Sequence, residues 1–320
     1  MNNALSSICS ETEKEYTAAD VPLLKEELSR ADITESAKIE VIRGIRKLLT
    51  HGGYLQQRTE RKCEHLTQNA AANDISEREM LKGEILPQIV QLLKIDHPQI
   101  LNEAILTLFN VASSDGQVLV DIGAVPPIVS LLSSPISDVR ELSLRCLESI
   151  ARESPALRDA ILSEGVIGLL VGHVESTSNS SLISVCARAV KNLFIQPCPD
   201  LSFVAPAIPA LVSIVNSHCI DAIIEALWAL SFICDGEEEH IQAVIDSGVV
   251  KNLIEMLDHT NTDVVVPAIR TVGSIVGGND KQTQAVVNSG LMKKVETLLD
   301  HPKVGTVFTC NNRNFCVIFP

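Results

Sequence analysis

Apolar residues recur every three or four positions along most of this 320-residue chain, in short runs separated by polar turns, which predicts a succession of amphipathic helices. In DVRELSLRCLESIARES, residues 138–154, that spacing gathers the apolar positions on one side of a helix. One phrase returns with variations: KGEILPQIVQLL at 82–93, DIGAVPPIVSLL at 121–132, SEGVIGLLVGHV at 163–174, DSGVVKNLIEML at 246–257 and NSGLMKKVETLL at 288–299. Its glycines, Gly83, Gly123, Gly165, Gly248 and Gly290, are separated by 40, 42, 83 and 42 residues. The doubled gap holds VAPAIPALVSIV at 204–215, where proline replaces glycine.

A period of about 42 residues lies in the range of armadillo and HEAT repeats. Each unit reads as a short segment before the glycine, a second run ending in a pair of large apolar residues, and a longer third run. Glycine suits the sharp turn between the first two, through a left-handed backbone or a close helix approach. Three helices per unit favour armadillo over two-helix HEAT, so the expected fold is all-α, a right-handed armadillo-repeat superhelix (an α-solenoid) of about six repeats plus a partial one. The units fall at 22–52, 82–116, 117–155, 156–197, 198–237, 238–280 and, in part, 281–303. The expected organisation is an acidic, partly disordered segment over 1–38, a repeat domain over 39–303 with a polar insertion near 54–76, and an atypical tail over 304–320. The tail, GTVFTCNNRNFCVIFP after DHPKV, lacks helical period and reads as an interrupted array or a strand covering the last seam.

Composition adjusts this picture in three ways. Hydrophobic residues make up 46% of the chain but aromatics only 3%, which suits many thin aliphatic interfaces. A net charge of −14 argues against nucleic acid, whose phosphates require clustered cations, and is compatible with a basic partner or with an ordinary acidic surface. The nine cysteines, at 9, 63, 146, 186, 198, 219, 234, 310 and 316, form no CxxC pair and read as core residues of a reducing compartment. No run reaches the roughly 20 apolar residues of a membrane span, and the polar start does not read as a signal peptide.

Three stretches carry a more specific likeness: EALWALSFICDGEEEHIQAVIDSGVV over Glu225–Val250, PAIRTVGSIVGGNDKQTQAVVNSG over Pro267–Gly290, and GAVPPIVSLLSSPISDVRE over Gly123–Glu141. Through them the chain resembles importin-alpha, the adaptor for basic nuclear localisation signals, over about Ile39–Lys303 and most strongly in the last two full repeats. The resemblance implies a concave groove lined by the third helices, with a Trp and an Asn four residues later recurring from repeat to repeat. Residues i and i+4 share a helical face. Indoles there form shelves for cargo lysines, Asn amides hold the cargo main chain, and acidic neighbours receive ammonium groups.

The positions implied by the resemblance are Leu106 with Asn110, Arg145 with Ser149, Arg188 with Asn192, Trp228 with Phe232, and Arg270 with Ser274. The resemblance gives cargo-binding roles to Trp228, Asn192, Asn110, Glu153, Glu225, Asp235 and Arg270. Leu106, Arg145, Ser149, Arg188, Phe232 and Ser274 depart from the repeated pair, although Arg is the family's usual residue at the Arg270 position. A guanidinium about 6 Å from a cargo ammonium repels it by roughly 0.7–2.8 kcal/mol for dielectrics between 80 and 20. Arg145 has an alternative, pairing with Glu141 and Glu148 at helical spacing. Trp228 could also be core, and the two asparagines could serve their own helices.

Residues 1–38 contain eight acids and four bases with no Lys/Arg cluster, so recruitment of importin-beta and autoinhibition by such a segment are not expected. The nearest bases are Arg43, Arg46 and Lys47 in the first repeat helix and Arg58, Arg61 and Lys62 in the insertion. No HExxH, Walker, GxSxG or Rossmann pattern is present, His218–Cys219 points two ways on a helix, and GEEEH at 236–240 reads as a solvated turn. No cofactor, metal or enzymatic activity is expected. The reading is an adaptor for basic linear motifs of cargo proteins, expected in cytoplasm and nucleus, with the nuclear envelope or pore as a further location. The alternatives are an armadillo scaffold for a non-classical or folded partner, or a truncated product with impaired cargo binding.

Overall fold

The computed structural model describes residues 20–30, 32–51, 81–195 and 197–294, and all regular structure among them is helical. Helices α1 (Val21–Ser29) and α2 (Glu35–His51) come first. A π-helical turn, Leu81–Ile85, leads into α3 (Leu86–Leu92) and α4 (Pro98–Ala112). Next are α5 (Gly116–Asp121), α6 (Val125–Ser130) with a 3-10 turn at Leu131–Ser133, and α7 (Ser137–Ala151). Helices α8 (Pro155–Ser163), α9 (Val166–Ser176) and α10 (Ser180–Leu193) follow. Then α11 (Leu201–Val204), a 3-10 turn at Ala205–Ala207, α12 (Ile208–Val215) and α13 (Ile220–Cys234) make the next unit. Finally come α14 (Glu238–Asp246), α15 (Val250–Met256), α16 (Thr262–Val276) and α17 (Asp280–Asn288).

The chain divides into two compact units, Met1–Cys146 and Leu147–Pro320. In the first, α1 packs on α2, α2 lies along α4, and α3 and α5 flank α4. The ordered helices start before the expected domain boundary at residue 39, since α1 buries Val21, Leu24 and Leu28. In the second unit the long third helices α10, α13 and α16 lie side by side with α13 in the middle. Helices α12 and α14 pack on α13, and α15 and α17 pack on α16.

Local sequence explains why these helices form. Asn179 opens α10 by accepting the N–H groups of Ser181 and Leu182, and Asn279 with Gln282 makes a reciprocal capping box at the start of α17. Helix α13 has no capping side chain at Cys219, a loss of about 1 kcal/mol. It buries Ile223, Leu227, Leu230 and Ile233, each contributing about 1.5–3 kcal/mol, so packing decides its stability. Its alanines at 222, 226 and 229 are also buried.

The turn glycines are explained by backbone alone. Gly165 precedes α9 with φ 75° and ψ 21°, and Gly123, Gly248 and Gly290 share its positive φ. A Cβ added at any of these four would meet nothing within 4 Å, so close helix approach is not the reason. Gly83 departs from the pattern. It lies in the π-helical turn, and its φ is not positive. The GEEEH segment is likewise not a solvated turn: α14 begins at Glu238, and His240 is buried with Nε2 3.0 Å from the Pro199 carbonyl. The insertion near 54–76, with Arg58, Arg61 and Lys62, and the tail over 304–320 lie outside the described residues.

Candidate groove site on the third helices

Each third helix has fully buried faces and one half-buried stripe. On α13 the stripe carries Ile224, Glu225, Trp228 and Phe232; on α10 it carries Arg188, Lys191 and Asn192; on α16 it carries Val266, Arg270, Gly273 and Ser274. These positions are three or four residues apart, so each set shares one helical face. Three of the five predicted pairs, Arg188 with Asn192, Trp228 with Phe232 and Arg270 with Ser274, are on these stripes, and all three stripes belong to the second unit.

At the α13–α16 junction the structure joins five of the sequence-predicted residues. The rings of Trp228 and Phe232 are 6.0 Å apart and tilted by 36°. The Arg270 guanidinium sits over both, 6.0 Å from the first centroid and 5.9 Å from the second. Asp235, just past the end of α13, accepts from Arg270 Nη2 at 2.5 Å and from Ser274 Oγ at 2.9 Å. Its carboxylate, with the side chain 10% exposed, is therefore engaged by this chain's own donors. Phe232 and Ser274, departures from the Trp/Asn pair, form part of the cluster.

The α7–α10–α13 side holds a second polar cluster. Lys191 Nζ lies 2.6 Å from Glu225 Oε2. Glu148, from the end of α7, is mostly buried, and that burial raises its carboxyl above the ordinary range. Opposing this are the charges of Arg188, Arg152 and Lys191 and a hydrogen bond from the Asn192 amide. Glu148 Oε1 remains buried without a hydrogen-bond partner. Arg152 Nη2 donates to Ser149 Oγ at 3.4 Å. Of these charges, that of Arg188 opposes the rise of the Glu148 carboxyl most. Glu153 is exposed in the turn after α7, where its N–H bonds the Ile150 carbonyl at 3.2 Å.

In the first unit, Leu106, Phe109 and Asn110 share the half-buried face of α4. The Arg145 guanidinium lies 5.0 Å from the Phe109 centroid. This corrects the alternative of Arg145 pairing with Glu141 and Glu148, because a ring and not a carboxylate takes the cation. Arg43 and Arg46 both grip Glu103 of α4, at 2.8 Å and 3.2 Å, so these bases are committed to packing. Following only i and i+4 leaves out Phe109 and Lys191 and gives Glu148 no role beyond pairing with Arg145. Each is three residues after a ladder position, a spacing that shares the same face.

Among the described residues, no helix is long and apolar enough to cross a membrane, and no group of three His, Cys, Asp or Glu is placed to hold a metal. Cys146, Cys186 and Cys234 are buried free thiols, and burial pushes the Cys198 thiol up to about 12.

Comparison with known proteins matches the same architecture. Residues 237–277 match the family model of the armadillo/beta-catenin-like repeat. Importin subunit alpha-1b of Oryza sativa subsp. japonica is 39% identical over 186 residues, 57% of this chain and 35% of the relative. Importin subunit alpha-2 of Arabidopsis thaliana is 36% identical with the same coverage. The matched region thus spans about a third of these relatives' length. Among solved structures, a designed armadillo repeat protein in complex with the peptide (KR)4 superposes with TM-score 0.63 and 25% identity, covering 68% of this chain and 93% of its own. An engineered protein gives TM-score 0.60 at 28% identity, covering 68% of this chain and 90% of its own.

Proposed function

We propose that this armadillo-repeat chain, a relative of importin-alpha subunits, is a protein-binding adaptor in nuclear import that holds an extended, basic segment of a cargo protein along its third helices. The carrying observation is the stripe on α10, α13 and α16, where Asn192, Trp228, Phe232 and Arg270 line up on half-buried faces. Half-buried aromatic faces beside carboxylates suit the aliphatic stems and charges of lysine and arginine. Trp228 is the shelf, Glu153 and Glu225 are the acidic wall, and Asn192 and Asn110 bond the cargo backbone in this reading. The relatives bear the name importin subunit alpha, and the designed neighbour holds (KR)4; both support an extended-peptide ligand. Exchange between cytoplasm and nucleus follows from such a role, which requires no catalysis.

A second reading has an observation of its own. Glu225 and Asp235 are already held by Lys191 and Arg270, so a basic segment must compete with internal cations. A non-classical or folded partner avoids that competition. Fluorescence anisotropy of labelled (KR)4 separates the two readings. The first expects micromolar binding that Trp228→Ala weakens about tenfold, the scale of a central aromatic anchor. Binding that ignores this change removes the groove assignment, and no binding by the unaltered chain favours the second reading.

A further inference from the structure

We propose that Arg270 is a built-in competitor for the ligand: its guanidinium fills the seat made by Trp228, Phe232 and Asp235, and an arginine of the extended segment takes that seat by displacing it. This rests on the extended-peptide reading above and adds to it a guanidinium-specific subsite with its own gate. The four side chains meet within the second unit. The Arg270 guanidinium lies 6.0 Å from the Trp228 centroid and 5.9 Å from that of Phe232, and its Nη2 donates to Asp235 Oδ2 at 2.5 Å. A planar cation over aromatic rings, with an N–H on a carboxylate, is the contact set expected of a cargo base on the Trp228 shelf. The chain already makes it with itself.

The internal occupant is imperfect and free to leave. Arg270 Nε is buried without an acceptor, an unmade bond imposed by the tether to α16. A guanidinium on another chain turns freely and does not inherit that constraint. The Arg270 side chain is 35% exposed against 10% for Asp235, so the cation is the outer member of the pair and opens toward water. Ser274 Oγ, 2.9 Å from Asp235 Oδ1, keeps the carboxylate in place when the arginine swings away. Lysine suits the seat less well, because a compact ammonium has no planar fork to spread over two rings tilted by 36°.

The test uses the full chain and labelled (KR)4, read by anisotropy. Arg270→Ala is expected to bind about tenfold tighter than the unaltered chain, the scale of one cation–π contact with its charge-assisted bond. Arg270→Gln, which can still bond Asp235 but brings no charge, gains part of the way, with circular dichroism confirming that both variants fold. The gain is absent when Trp228→Ala is added. A gain that survives Trp228→Ala reflects bulk charge removal and overturns the proposal, as does an affinity that is unchanged or weaker in Arg270→Ala. A second arm needs no peptide: the emission of Trp228, the sole tryptophan, is followed in Arg270→Ala against N-acetyl-arginine amide and N-acetyl-lysine amide. The arginine compound is expected to give a saturable shift at about tenfold lower concentration than the lysine compound, and Asp235→Asn in the same background abolishes it. That shift without (KR)4 binding by any variant sinks the basic-segment reading and keeps the seat. No saturable shift, or an equal one with lysine, sinks the guanidinium seat whatever (KR)4 does.

Discussion

Asp235 shows how much a single side chain contributes to the α13–α16 junction. It accepts from Arg270 and Ser274 of the next third helix, and the guanidinium it holds covers Trp228 and Phe232. Replacing Asp235 by Asn keeps the shape and removes the charge. Hydrogen bonds to charged groups are worth about 1.5–3 kcal/mol, and the Arg270 side chain is 35% exposed and partly screened. Urea unfolding of Asp235→Asn is therefore expected to show a loss near the lower end of that range. Glu148 behaves in the opposite sense. Its folded-state carboxyl is raised by burial, so the native chain holds the proton more tightly than the unfolded chain. This group's contribution is most favourable below the unfolded carboxyl range and declines as pH rises through the raised native value. Glu148→Gln escapes that decline, so its stability relative to the unaltered chain should be higher at pH 7 than at pH 4. An equal difference at both pH values would contradict the assignment.

At the scale of elements, the repeat was legible because its grammar is local. The 3.6-residue spacing, the recurring glycine and the paired apolar residues identify helices from their own neighbourhood, and Gly165 with φ 75° confirms that grammar. Gly165→Ala should cost about 1 kcal/mol through left-handed strain alone, because an added Cβ has free space. A much larger thermal shift would point to a steric cause that the structure does not contain. What the sequence could not disclose is pairing between repeats. Lys191 meets Glu225 and Arg270 meets Asp235 across intervals of 34 and 35 residues, and nothing in either helix alone marks its partner. Gly83 was misread for the related reason that a π-helical turn and a left-handed turn share the same glycine. GEEEH looked solvated because the buried acceptor of His240, the Pro199 carbonyl, lies 41 residues away.

At the scale of the molecule, cohesion passes from one third helix to the next, as α13 touches α10 on one side and α16 on the other. A chain held together by neighbours has no single core whose loss unfolds everything at once. The sole tryptophan of the sequence, Trp228, stands at the α13–α16 step beneath Arg270. Its emission is thus a local gauge of that step, whereas the far-ultraviolet dichroism averages over every helix. Titrated with urea, the two signals should give midpoints that do not coincide, and coincident curves would mean that the array melts as one cooperative body. The same indole also lights only where a ligand on the proposed stripe would sit, so the protein carries a native, label-free reporter of its own occupancy.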